Sequence, residues 1–178
     1  MHVSTWEKIR DSGVKSPGSK ADSLVIAIVG SGGDGVALLG SLLLKMAADQ
    51  GLYGMMVQSF GPQIRGGDSA VVLRISSAEV AYEGNEADLL LCFRLADLER
   101  FQISVRLHPE SKVILEAAEE GELPARLRHR GMEIFRYPFR NFDENGVEMP
   151  SGPKNMMGLA LICRALGWSD ETVREIMT

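Results

Sequence analysis

Two cysteines and three histidines are all the thiol and imidazole metal ligands in this 178-residue sequence. Cys92 and Cys163 each lie inside an apolar run, while His2, His108 and His129 stand apart, without the spacing of a ligand pair. A zinc or iron–sulfur site needs several such groups converging on one point, so no metal site is expected. The cysteines read as buried, reduced thiols of a cytoplasmic protein. Positive charge is scarce as well: 19 Lys and Arg stand against 24 Asp and Glu, a net charge of -5. Phosphate-backbone binding asks for clustered cations, which argues against a nucleic-acid partner. The one basic cluster, Arg126, Arg128 and Arg130, sits beside Glu119, Glu120 and Glu122 and reads as a solvated helix face. A secretory leader is not apparent, because residues 1–22 are polar. Leu24 to Ala48 is apolar but is broken by Gly30, Gly32, Gly33, Asp34 and Gly35. Two elements around a turn explain that run better than a membrane span.

What remains is an ordinary globular balance, 45% hydrophobic and 24% charged, at a length that suits one domain. Residues 1–22, with Ser-Pro-Gly-Ser at 16–19, are expected to form an exposed arm or linker. Residues 23–178 are expected to form a single α/β domain, either a separate subunit or the front part of a longer chain. The aliphatic run 24–29 does not alternate, which marks a strand covered on both faces. Val36 to Gln50, closed by Gly51, reads as a buried helix, apolar nearly all round. Strands are expected at 54–60 and 69–76; about eight residues separate them, too few for a crossover helix, so they should be antiparallel neighbours. Further strands are expected at 88–93, 112–116 and 132–137, with helices at 95–105, 122–130 and 153–166 and another opening at Ser169. The alternation gives a three-layer α/β/α fold around a mixed, mostly parallel sheet with a Rossmann-like glycine turn.

Gly30-Ser31-Gly32-Gly33-Asp34-Gly35 satisfies G-x-G-x-x-G between a strand and a helix. In a dinucleotide site such glycines let a pyrophosphate reach the N–H groups at the helix start. That chemistry also wants an acid at the end of the second strand, where this chain has Val57-Gln58-Ser59-Phe60. A free-standing nucleotide-binding oxidoreductase is therefore the alternative, not the leading reading. Gly33-Asp34-Gly35 could open a thiamine diphosphate motif, but the closing pair of asparagines is missing, since Asn85 is single. The third option is structural: the glycines permit a tight turn and Asp34 suits a helix start.

A second loop, Gly61-Pro62-Gln63-Ile64-Arg65-Gly66-Gly67-Asp68-Ser69, sets a cation among glycines. It suits a carboxylate or phosphate, or simply docks a partner. Taken together, Gly-Ser-Gly-Gly-Asp-Gly-Val at 30–36, Gly-Pro-Gln-Ile-Arg-Gly-Gly at 61–67 and Pro-Lys-Asn-Met at 153–156 resemble the gamma component of 2-oxoacid:ferredoxin oxidoreductases. The family's turn usually has Gln where Asp34 stands, and its loop often has Glu in place of Gln63. The resemblance implies a non-catalytic chain that supports assembly and coenzyme A binding. Thiamine diphosphate, magnesium and iron–sulfur clusters would then lie on alpha and beta partners that pass electrons to ferredoxin. It also implies a cofactor-facing set: Gly30, Gly32, Gly33, Asp34, Gly35, Gly61, Arg65, Gly66, Gly67, Ser69 and Asn155.

Overall fold

A computed structural model describes residues 5–11, 13–14, 23–60, 69–101, 105–142, 148–149 and 152–169. In chain order they form α1 (Thr5–Arg10), β1 (Ser23–Gly30), α2 (Val36–Asp49), β2 (Tyr53–Phe60), β3 (Ser69–Ser76), β4 (Ala87–Cys92) and α3 (Leu95–Arg100). They continue as β5 (Leu107–Glu116), a 3-10 turn (Ala125–Leu127), β6 (Glu133–Tyr137), the short pair β7 (Asn141–Phe142) and β8 (Glu148–Met149), and α4 (Lys154–Ala165). Six strands make one sheet in the order β2-β3-β1-β4-β5-β6. β1, β4, β5 and β6 are parallel neighbours, whereas β3 runs antiparallel to both β1 and β2. The mixed, mostly parallel sheet and the antiparallel 54–60/69–76 pair are as the sequence predicts.

Alternation along the buried strands sorts the core into two layers. Leu24, Ile26 and Ile28 of β1 join Leu89 and Leu91 of β4 beneath α1, α2 and α4. Val25, Ala27, Val29, Leu90 and Cys92 point to the other face, under Leu98 of α3, under Phe101 just after it, and under Leu123 and Leu127. Helices leave little room on the first face. A Cβ on Gly158 of α4 would lie 2.7 Å from Leu91, 2.9 Å from Leu39 and 3.1 Å from Phe93. α2 buries Val36, Leu39, Leu43 and Met46 but exposes Leu38, Ser41 and Lys45, so its all-round apolarity does not mean burial on every side.

Three local expectations are corrected. The helix at 95–105 ends at Arg100: Phe101 closes it, and Val105 and Arg106 already lead without helical structure into β5, which starts at Leu107 rather than 112. The helix at 122–130 is an irregular segment around one 3-10 turn, although Arg126, Arg128 and Arg130 are exposed as expected. Leu123 and Leu127 have helical spacing and do reach one core, but Pro124 and Arg128 hold extended backbone (ψ 137° and 120°) on either side of the turn. Within the segment expected to be an arm, α1 buries Ile9 in the core beneath α4. The helix expected after Ser169 lies outside the described residues, as does the 61–68 loop.

Gly158→Ala should therefore lose about 1–3 kcal/mol through overpacking. Thermal denaturation should show it as a fall in Tm of about 2–4 °C per kcal/mol at this chain length.

Candidate functional site

The parallel strands end together along one edge, and their connections diverge there. β1 continues into α2 on one face of the sheet, while its neighbour β4 continues into α3 on the other. In open α/β sheets that divergence opens a crevice outside the carboxyl ends, the usual place for a ligand. Gly30 ends β1 at this crevice, and register places it opposite Ser69, which in turn pairs with Phe60. Both ends of the second loop are thus held within two strands of the glycine turn. Its members Gly61, Arg65, Gly66 and Gly67 fall outside the described residues.

The turn itself is locked from within. Asp34 accepts a hydrogen bond from the Ser31 N–H at 2.9 Å through one oxygen and from Lys154 at 3.1 Å through the other. Its side chain is only 9% exposed. Gly35 has φ 70° and ψ 29°, a left-handed conformation natural to glycine. A Cβ there would also come within 2.6 Å of the Asn155 amide. Gly30 is equally constrained, with Phe93 at 2.9 Å and Val36 at 3.1 Å from the position of an added Cβ. The motifs at 30–36 and 153–156, more than a hundred residues apart, are therefore packed on each other at the crevice.

Ser31 is the hub of a second link. Its hydroxyl donates to Asp97 at 3.0 Å and accepts from Arg94 at 3.0 Å, and Arg94 Nε stands 3.8 Å from the same Asp97 carboxylate. Asp97 is buried, whereas the Arg94 side chain is 48% exposed. Two cations, Arg94 from the α3 side and Lys154 from the α4 side, so bracket the turn, each held by a carboxylate. Further along the edge, buried Glu116 lies 3.5 Å from Arg140, which also meets Glu119 at 3.1 Å. Cys92 lies below this row of acids and donates to the Arg94 carbonyl at 3.0 Å. Burial, with added repulsion from Asp97, Glu119 and Asp34, pushes its thiol up to about 12. Cys163 is likewise raised by burial to about 12, and it sits on the opposite face of the sheet. Neither thiol is a nucleophile at neutral pH.

Of the sequence-derived set, the structure brings together Gly30, Gly32, Gly33, Asp34, Gly35 and Asn155. Ser69 stands beside Gly30 but is buried within β3, with little surface to offer. Ser31, Arg94, Asp97 and Lys154 were not in that set. Arg94 had a legible signal, since it directly follows the buried run Leu-Leu-Leu-Cys-Phe and so had to emerge at a strand end. The pairing of Ser31 with Asp97, 66 residues away, had none. The geometry also weighs against a pyrophosphate seated in the turn. The Ser31 N–H is already taken by a carboxylate, and β2 ends without an acid for a ribose.

A family model described as pyruvate ferredoxin/flavodoxin oxidoreductase matches residues 25–178. The chain belongs to this family. Two curated relatives are 2-oxoglutarate synthase subunits KorC from Methanothermobacter thermautotrophicus and Methanothermobacter marburgensis. They are 31% and 30% identical over 144 residues, which is 80% of this chain and 76% and 77% of theirs. Among solved structures, the keto/oxoacid ferredoxin oxidoreductase gamma subunit of Geobacter sulfurreducens superposes with a TM-score of 0.63 at 20% identity, covering 86% of this chain and 84% of that one. The pyruvate oxidoreductase subunit PORC of Thermotoga maritima gives 0.64 at 16% identity, with 86% and 82% covered. A 2-oxoglutarate:ferredoxin oxidoreductase from Magnetococcus marinus, with 2-oxoglutarate, coenzyme A and succinyl-CoA bound, gives 0.66 at 20% identity. The match covers 89% of this chain but only 27% of that longer one. At these identities the superpositions establish the fold.

Gly33 differs from Gly30 and Gly35: it is exposed, lacks a left-handed φ, and an added Cβ would have nothing within 4 Å. Gly33→Ala should leave Tm nearly unchanged, whereas Gly35→Ala should lose about 1–2 kcal/mol from the left-handed backbone alone. Parallel melting curves of the two variants check this.

Proposed function

We propose that this chain is a gamma-type, non-catalytic part of a 2-oxoacid:ferredoxin oxidoreductase, and that its crevice helps to hold coenzyme A. The observation that carries the reading is the convergence of the 30–36 and 153–156 motifs, with both ends of the 61–69 loop, on one strand edge. The residues present suit an extended, anionic, amide-bearing molecule. Gly32 and Gly33 offer exposed backbone, Asn155 an amide, and Arg94 a half-exposed guanidinium held in place by Ser31 and Asp97. Asp34, already matched by Lys154, would accept from a donor better than it would tolerate a phosphate. Anionic groups would accordingly lie toward Arg94 and the Arg65 loop. When bound, coenzyme A supplies the thiol that takes the acyl group.

Thiamine diphosphate, magnesium and iron–sulfur clusters belong on this reading to the alpha and beta partners, which pass electrons to ferredoxin. The two cysteines cannot share a cluster, because the sheet lies between them. Among the described residues no group of three or more His, Cys, Asp or Glu could hold a metal ion, and no helix is long and apolar enough to cross a membrane.

The isolated chain, given thiamine diphosphate, magnesium, coenzyme A and ferredoxin, should form no acyl-coenzyme A from a 2-oxoacid. Reproducible turnover would refute the division of labour.

In the assembled enzyme, Arg65→Ala should raise the KM for coenzyme A or weaken subunit association about tenfold or more. One charge-assisted contact is worth about 1.5–3 kcal/mol, and 1.4 kcal/mol is a factor of ten. Arg65→Lys should recover part of the loss, since it keeps the charge but not the planar fork. Unchanged assembly and coenzyme A kinetics in Arg65→Ala would remove the loop from the site.

A further inference from the structure

Arg94 leaves the sheet where β4 gives way to α3, and both its backbone and its side chain are tied down. The neighbouring Phe93 N–H donates to the Val29 carbonyl at 3.0 Å, which carries the β1/β4 pairing right up to it. The Arg94 carbonyl accepts from the Asp97 N–H at 3.2 Å and from the Cys92 thiol at 3.0 Å. Its guanidinium donates through Nη1 to the Ser31 hydroxyl at 3.0 Å, and that hydroxyl lies 3.0 Å from the Asp97 carboxylate. A guanidinium can only donate and a carboxylate only accept. The single hydroxyl proton therefore points to Asp97, and the oxygen's lone pairs face Arg94.

As an ion pair this arrangement is loose. Arg94 Nε stands 3.8 Å from Asp97, whereas Lys154 on the other side of the turn stands 3.1 Å from Asp34. The Arg94 side chain is also 48% exposed, against 24% for Lys154. A long contact with one partner half in water adds little stability. What the relay through Ser31 fixes is the direction of the guanidinium. Its Nη2 has no hydrogen-bond partner among the described residues and is left for something outside the chain. Ordering a long side chain ordinarily weighs against binding; here the fold has ordered it beforehand.

We infer that Ser31 and Asp97 are positioning residues for Arg94, which they hold as the anchor for the phosphates of coenzyme A on the α3 side of the glycine turn. This rests on the reading of the crevice as a coenzyme A site and adds where in it the phosphates lie. The inside of the turn is closed to them, because the Ser31 N–H is taken by Asp34 at 2.9 Å and Lys154 is matched by the same acid. Arg94 offers instead a permanent charge and free N–H groups suited to a phosphate. Ser31 serves both purposes: its main chain shuts the turn to an anion, and its side chain aims a cation at one from outside. The carboxylate of the 2-oxoacid has similar chemistry, and kinetics with the two substrates tell them apart.

Steady-state kinetics of the assembled enzyme test this. Arg94→Ala should raise the KM for coenzyme A about tenfold or more and leave the KM for the 2-oxoacid in place. Arg94→Lys should recover part of the loss. Ser31→Ala should raise the coenzyme A KM about threefold or more in the parent. In the Arg94→Ala background it should add nothing, because a positioning residue acts only through the group it positions. Should Arg94→Ala fail to assemble, Arg94→Gln decides, since it keeps an N–H for Ser31 and drops the charge. Effects of Ser31→Ala and Arg94→Ala that simply add overturn the inference, as does a rise in the 2-oxoacid KM in place of the coenzyme A KM. Gly33→Leu, which nothing inside the chain opposes, separates the inference from the reading beneath it. If that variant raises the coenzyme A KM and Arg94→Ala does not, the crevice holds coenzyme A and the role of Arg94 is wrong. If neither raises it, the coenzyme A reading falls as well.

Discussion

The Asp34 carboxylate joins two parts of the chain 120 residues apart, accepting from the Ser31 N–H of its own turn and from Lys154 at the head of α4. Most of the geometry at the crevice follows from that pair of contacts. The first closes the turn so that α2 starts immediately after β1, and the second seats α4 so that Asn155 covers Gly35 and Gly158 drops between Leu39 and Leu91. Partly buried ion pairs give little net stability once desolvation is counted. What this one supplies is register: α4 has one axial position at which Lys154 meets Asp34 while Gly158 meets the core.

The same contact weighs against one reading of G-x-G-x-x-G. A pyrophosphate cradle needs N–H groups left open to an anion, yet here the turn's own acid occupies one of them. Asp97 does similar work from the other side of the sheet, holding the Ser31 hydroxyl and Arg94 together. Among the described residues, Asp34 and Asp97 at the turn each have a cation beside them, so on the proposed reading an anion would be drawn to the rim, where Arg94 is half exposed. An overall charge of -5 is thus compatible with anion recognition confined to one place.

How far the sequence discloses this depends on the range of the interaction. The continuous apolar runs at 24–29 and 89–93 marked doubly covered strands, and the eight residues between β2 and β3 left no length for a crossover. Those inferences are local and survive. Spacing alone misled at 122–130, where Leu123, ahead of a single 3-10 turn, and Leu127, at its end, reach one core without an α-helix. It misled again at 95–105, where Leu98 and Phe101 continue a helical period that the chain abandons before Val105. Links such as Ser31 with Asp97 depend on which strands become neighbours, and residue spacing does not carry that information. The basic loop centred on Arg65 was legible as a motif, while the fold places only its two ends.

The glycines of the turn separate what the fold requires from what a ligand would. Gly30 is excluded from bearing a side chain by Phe93 and Val36, and Gly35 by its φ and by Asn155. The first and last letters of the pattern are therefore explained by internal packing, and any tight passage from strand to helix beneath another helix would select them. Gly33, in open space with an ordinary φ, is explained by neither. A six-residue pattern is weak evidence of binding for this reason: its outer glycines answer to the protein's own atoms. A glycine that nothing inside the chain demands, such as Gly33, is the one whose replacement separates the proposed coenzyme A site from the demands of the fold.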